Sequence, residues 1–246
     1  MKFLVCISKT PDTTSKIVFD MEGKRLLEEG LTFIMNPYDE WYALVRAIEL
    51  REKVGGHVDV VHVGSSSADM IIRKALAVGA DGAYRIDIEP EASDVVAYQI
   101  AEFAKAKSYD IIFLGKETID HNGSETGSIL AEMLQLPFIS YCNKLELEGT
   151  LAKAYREIEG GIEELEVSTP FVLSAAKGLA EQRIPNMKGI MDAKRKPLEV
   201  IPAKSIQSKV RLEKFELPEA KSSVKMISPD NIDALIDILH SEVKVI

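Results

Sequence analysis

Ile111-Ile112-Phe113-Leu114-Gly115-Lys116-Glu117-Thr118-Ile119-Asp120-His121-Asn122-Gly123-Ser124-Glu125-Thr126-Gly127-Ser128, followed by Ile129, Leu130, Met133 and Leu134, is the stretch on which the fold turns. Its first four residues are apolar without alternation, as in a strand buried on both faces. Its last apolar residues recur at helical spacing. Between the two lies a loop of glycine and small hydroxylated residues. The same alternation is repeated along the chain. Residues 3–7, 58–63, 83–86 and 171–174 read as further buried strands, and 38–53, 69–78 and 95–106 as amphipathic helices. The expectation is an α/β protein with a Rossmann-like, doubly wound, mainly parallel sheet between helix layers.

From residue 139 to 167 the pattern changes to alternating strands around the turn signal Gly160-Gly161, which predicts a small antiparallel meander. After Ala180 the chain is polar and punctuated by Pro185, Pro197, Pro202 and Pro218, and reads as an extended arm. Ser228-Pro229 predicts an N-cap with proline at the first helical position, opening a last helix through Leu239. The expected division is an α/β domain over 1–183 and an arm over 184–246.

Of 246 residues, 46% are hydrophobic and 28% charged, enough apolar material for a substantial core. The net charge of −9 disfavours nucleic acid as a partner, since phosphate neutralisation needs a concentrated basic face. Two cysteines, Cys6 and Cys142, allow no disulfide framework and no cysteine-based metal site. His57, His62, His121 and His240 have no spacing that suggests metal ligation, so no metal is expected. The apolar run after Lys2 reaches Ser8-Lys9-Thr10 too soon for a signal peptide or a membrane span, and a cytoplasmic protein without membrane insertion is expected.

In an open parallel sheet, ligands bind beyond the carboxyl ends of the strands, where helix N-termini offer free N–H groups to anions. Three segments fall at that edge. The loop from Gly115 to Thr126 suits a phosphate cradle, because small residues let a ligand approach backbone amides, and Ser124 and Thr126 add donors. An ordinary strand-to-helix loop with an N-cap has the same spacing, so position alone leaves these readings level. Gly64-Ser65-Ser66-Ser67 is a second small-residue turn. Asn36-Pro37 precedes the first long helix, where Asn36 either caps it or presents an amide to a ligand. Neither a P-loop nor a G-x-G-x-x-G after the first strand is present, and no Ser, His and acid set announces hydrolysis.

Taken together, Met35-Asn36-Pro37-Tyr38-Asp39-Glu40, Ala75-Leu76-Ala77-Val78-Gly79-Ala80-Asp81, the loop with Gly115-Lys116 and Ile119-Asp120, Arg156-Glu157-Ile158-Glu159-Gly160-Gly161, and Ile190-Met191-Asp192-Ala193-Lys194-Arg195-Lys196 resemble the beta subunit of electron transfer flavoprotein. The resemblance implies a fold of the adenine-nucleotide-binding type and an electron carrier rather than an enzyme, with a heterodimeric alpha subunit holding most of the redox-active FAD. It implies structural AMP on this chain, contacted from Cys6, Asn36, Pro37, Tyr38, Asp39, Ser65 and the loop Gly115 to Thr126. It also implies that 184–246 holds a recognition loop and an arm packing on the alpha subunit. By the same resemblance, Met187 is expected to be the docking anchor for acyl-CoA or related dehydrogenases of fatty acid oxidation, and a flavoprotein oxidoreductase to be the acceptor. Lys194, Arg195 and Lys196 are candidates for steering an acidic partner. Glu125 stands where members commonly have Gln, and a carboxylate near phosphate is repelled unless it points away or is protonated. A flavin-bifurcating branch holds a second FAD in place of AMP, with a loop reading Thr-Ala-Gln-Val-Gly. Here it reads Ser124-Glu125-Thr126-Gly127-Ser128, so AMP is expected. An ATP-hydrolysing enzyme of the same fold is the alternative from the enzyme class.

Overall fold

Phe3, Leu4 and Val5 are wholly buried, and with Lys2 and Cys6 they form β1 (Lys2–Cys6), the middle strand of a seven-stranded sheet. The computed structural model describes residues 1–221 and 223–245. After β1 come β2 (Lys9–Pro11), β3 (Phe33–Met35), α1 (Asp39–Val54), β4 (His57–Val63), α2 (Asp69–Val78), β5 (Gly82–Asp87), α3 (Ser93–Lys105) and β6 (Ile111–Gly115). The second half runs α4 (Thr126–Leu134), β7 (Phe138–Cys142), β8 (Lys144–Glu148), β9 (Leu151–Ile158), β10 (Gly161–Ser168), β11 (Phe171–Ala175), α5 (Met187–Ala193), β12 (Leu198–Pro202) and α6 (Ile232–Ile238).

The main sheet has the order β12-β5-β4-β1-β6-β11-β7, and every neighbouring pair is parallel. Phe3 lies beside Val58 on one side and Ile111 on the other, so the three apolar runs stack in register. Phe3 and Val5 pack with Leu44 and Ile48 of α1 and Ile72 and Leu76 of α2. Leu4 and Cys6 face the other way, toward Ile100 and Phe103 of α3 and Leu130 of α4. Because successive strand residues point to opposite faces and both are covered, these strands carry no polar alternation. From β1 the chain builds outward through β4 and β5, then crosses back to β6. The order reverses between β1 and β6, which opens a crevice at their carboxyl ends.

The meander forms as expected: β8, β9 and β10 make an antiparallel sheet. Leu145, Leu147, Ala152 and Ala154 turn into the core while Lys144, Glu146 and Glu148 stay exposed. The stretch after Ala180 differs from the extended arm expected. It folds as α5 and returns as β12, whose Leu198 to Pro202 pair with Ala83 to Asp87 of β5. An edge strand half open to solvent has no buried run to betray it, and Pro202 at its end is tolerated there. The last helix begins later than expected. Asn231, not Ser228, caps α6 by accepting the Ala234 N–H at 3.2 Å, while the Ser228 carbonyl closes a turn with the Asn231 N–H. Among the described residues no helix is long and apolar enough to cross a membrane.

Candidate functional site

Asn36 is wholly buried, and both ends of its amide are used. Nδ2 donates to the Glu117 carbonyl at 2.9 Å, and Oδ1 accepts the Ile119 N–H at 2.9 Å. The corner between β3 and α1 thus clamps the loop that follows β6. Asn36 therefore does not cap α1, and it spends one Nδ2–H and its Oδ1 on the loop. Among the described residues no side chain caps α1, and the residue at its cap position, Tyr38, has φ +64°. A bulky residue there carries strain of about 1–3 kcal/mol, which the surrounding structure must hold. The Tyr38 ring is exposed beside the clamp, and Pro37 is half-buried.

β6 ends against the first turn of α1. A Cβ on Gly115 would lie 2.9 Å from Glu40 Cγ and 3.1 Å from the Glu40 backbone nitrogen. Gly115→Val is expected to destabilise the fold by about 1–3 kcal/mol through overpacking, read as a lower denaturant midpoint at unchanged slope. Beyond it, the Lys116 N–H donates to the Ala175 carbonyl and Lys116 Nζ stands 3.3 Å from Glu117 Oε1. The Asn122 N–H bonds the Thr118 carbonyl at 2.8 Å, and the Asp120 side chain accepts the His121 N–H at 2.9 Å. Asn122 and Ser124 adopt left-handed φ of 48° and 52°, which turns the chain into α4. Exposed Gly123 leaves that turn open: a Cβ there would reach only Glu125, at 3.7 Å.

The start of α4 has no side-chain cap among the described residues. Its first N–H groups follow directly on that loop, at the end of the helix where the dipole favours an anion. Thr126, half-buried, is the first helical residue. Ser124, expected as a donor to a ligand, instead gives its hydroxyl to Glu117 Oε2 at 3.0 Å. The Glu125 carboxylate accepts the Ser93 hydroxyl at the start of α3. His121 is exposed, with its ring 4.0 Å from Asp120.

Cys6 ends β1 at the floor of the crevice, and burial, with the nearby Glu40, pushes its thiol far up, so it acts as a small apolar wall. Ser65 follows β4 at the same edge, half-buried, with its hydroxyl 3.0 Å from that of Ser67. His62 and the Ile7 carbonyl, 2.9 Å apart, tie the ends of β4 and β1 together. The fold therefore brings Cys6, the 36–39 corner, Ser65 and the 115–126 loop to one strand edge. Met187 lies elsewhere, at the start of α5.

Sequence reasoning missed Glu40 and Ser8. Glu40 is buried, and its Oε2 and Oε1 accept the Ser8 N–H at 2.7 Å and the Ser8 hydroxyl at 2.6 Å. A signal was present: Glu40 stands four, seven and eight residues before Leu44, Ala47 and Ile48, on the apolar face of α1. Burial is the main reason that its carboxyl is raised to about 8, and Asp120 and Asp39 push in the same direction against the Ser8 bonds. Burial also raises Asp39 to about 6, against the pull of Lys116 and with the push of Glu117. Glu40 is thus largely neutral at pH 7, which removes one negative charge from the crevice.

The basic run also divides. Lys194 and Arg195 are exposed, but Lys196 is drawn in against the end of α2, where Nζ donates to the Leu76 carbonyl at 3.4 Å and to that of Ala80.

Residues 24–206 match the family model of the electron transfer flavoprotein domain. The chain is 36% identical to the electron transfer flavoprotein subunit beta of Bacillus subtilis over the full length of both proteins. It is 38% identical to that of Syntrophomonas wolfei, over 91% of this chain and 88% of the relative. The corresponding mouse subunit is 31% identical, over 95% and 96%.

Proposed function

Starting from the fact that the chain belongs to the electron transfer flavoprotein family, as a beta subunit, we propose that it holds AMP in the crevice between β1 and β6 and joins an alpha subunit in a heterodimer. This heterodimer carries electrons from dehydrogenases, of the acyl-CoA type among them, to a flavoprotein oxidoreductase in the cytoplasm. FAD, held mainly by the alpha subunit, supplies the electron acceptance and donation when bound. The chain itself is an electron-carrier subunit and not an enzyme.

The observation that carries the AMP reading is the loop from Gly115 to Thr126, clamped by Asn36 and opening on the uncapped start of α4. The residues fit a nucleotide monophosphate. Backbone N–H groups at the start of α4 and the Lys116 ammonium oppose its charge. Burial pushes Glu40 toward its neutral form, and Glu125 is turned onto Ser93. Cys6 gives the crevice a small apolar wall, and the glycine at 115 lets the first turn of α1 seat directly on the end of β6. Asp39, Tyr38 and Ser65 line the rim, where they orient the ligand and exclude water. Met187, 74% exposed on α5, is the anchor for the dehydrogenase.

Purification with the alpha subunit, denaturing release and chromatography test the reading. FAD and AMP are expected in equal amounts, each matching the heterodimer. FAD at twice the heterodimer with no AMP would assign the second site to flavin instead. Recovery of no nucleotide beyond the alpha subunit's FAD would sink the site. Incubation with ATP is expected to release neither AMP nor pyrophosphate.

A further inference from the structure

Met187 and Met191 of α5 are 74% and 58% exposed, and Ile184 just before the helix is 80% exposed. A seven-residue helix has almost no intrinsic stability, so such an apolar crest must be held from beneath. The holding contacts are reciprocal. Arg73 of α2 sends Nη1 to the Ala193 carbonyl at 2.9 Å and to the Lys196 carbonyl, closing the end of α5. Lys196, in the turn after α5, sends Nζ to the carbonyls of Leu76 and Ala80, closing the end of α2. Each helix thus supplies, from its own segment, the cation that satisfies the other's orphan carbonyls and faces the negative end of its dipole.

Two more contacts fix the separation. Gly189 rests on α2 so closely that a Cβ would sit 2.4 Å from the Ala77 carbonyl oxygen. Asn186 accepts the Gly189 N–H at 2.8 Å and caps α5, while Ala193 is buried in the main core.

We propose that Arg73, Lys196 and Gly189 are positioning residues for partner docking, holding the Met187 crest preformed on the surface. The inference rests on the docking role assigned to Met187 above. A preformed crest is ordered when the chain folds, so association does not have to order it again.

The test uses the complete heterodimer, with an acyl-CoA dehydrogenase that reduces the unmodified protein as probe. Lys196→Met and Gly189→Ala are expected to raise KM for the heterodimer about tenfold with kcat little changed, the pattern of lost binding rather than lost chemistry. Lys196→Arg should recover most of the loss. Oxidation of the pre-reduced heterodimer by a small dye, which requires no docking, should proceed at the unmodified rate. Amide hydrogen exchange along 187–193 should accelerate in Lys196→Met while the sheet exchanges as before.

Met187→Asp separates the two claims. If it raises KM while the Lys196 and Gly189 variants do not, the clamp is wrong and the docking reading survives. Unchanged KM for Met187→Asp would overturn the docking reading itself. Unaltered exchange along α5 in Lys196→Met would overturn the clamp independently of any partner.

Discussion

Asn36→Ala is expected to strip AMP from the purified heterodimer and to lower its melting temperature by about 5 to 15 °C. The wild-type amide satisfies two groups at once, the Glu117 carbonyl and the Ile119 N–H, in a wholly buried position. Alanine satisfies neither. Each half-buried group left without its partner costs about 1 kcal/mol, and the space vacated by the wholly buried side chain adds about 1–3 kcal/mol. The loop after β6 then loses its anchor at the corner between β3 and α1, so nucleotide retention should fall together with stability. The AMP-to-FAD ratio after denaturing release, set beside a thermal melt, checks both parts. Full AMP at an unchanged melting temperature would mean that something other than Asn36 shapes the loop.

Glu40→Gln should make the protein more resistant to alkaline pH without altering it in acid. Glu40 is raised from 4.5 to about 8 and Asp39 from 3.8 to about 6, both chiefly by burial. In the folded protein these carboxyls keep their protons over a range in which the unfolded chain has already lost them. Their stabilising effect is therefore complete below about pH 4 and drains away as pH rises, until about 6 for Asp39 and about 8 for Glu40. One proton corresponds to about 1.4 kcal/mol per pH unit, so Glu40 alone accounts for about 4 kcal/mol between pH 5 and 8. Glutamine keeps the shape and the acceptor for the Ser8 N–H, and removes the titration. Melting temperatures of the two proteins should coincide near pH 5 and diverge toward pH 8.5, with the variant higher. Parallel profiles across that range would show that Glu40 is ionised throughout and that its burial is relieved by other means.

Glu40 also illustrates how far the chain could be read before folding. Its spacing from Leu44, Ala47 and Ile48 places it on the buried face of α1, so its burial was legible in the helical period. Its partner was not. Ser8 lies 32 residues earlier, and only the pairing of β2 with β3 and the Ser8 carbonyl bond to the Asn36 N–H bring it under the helix. Lys196 presents the same contrast from the surface. In sequence it is one of three consecutive cations, a pattern typical of a solvated face. In the structure it closes the carbonyl end of α2, 116 residues away at Ala80.

What the amino-acid order determined by itself was the layering. Residues 3–7, 58–63, 111–114 and 171–174 are apolar without interruption, which requires cover on both sides, and the helices between them supply it. The family was equally local, since its motifs lie in order along the chain. Tertiary structure alone decided the rest: that 198–202 completes the sheet edge, that Asn36 clamps the cradle instead of capping a helix, and that α2 and α5 close each other's ends. The physical reason is that periodicity records which face of an element avoids water. A polar side chain is paired by whichever loop the topology carries to it, and Asn36 meets Glu117, 81 residues later in sequence, only because β1 and β6 are neighbours.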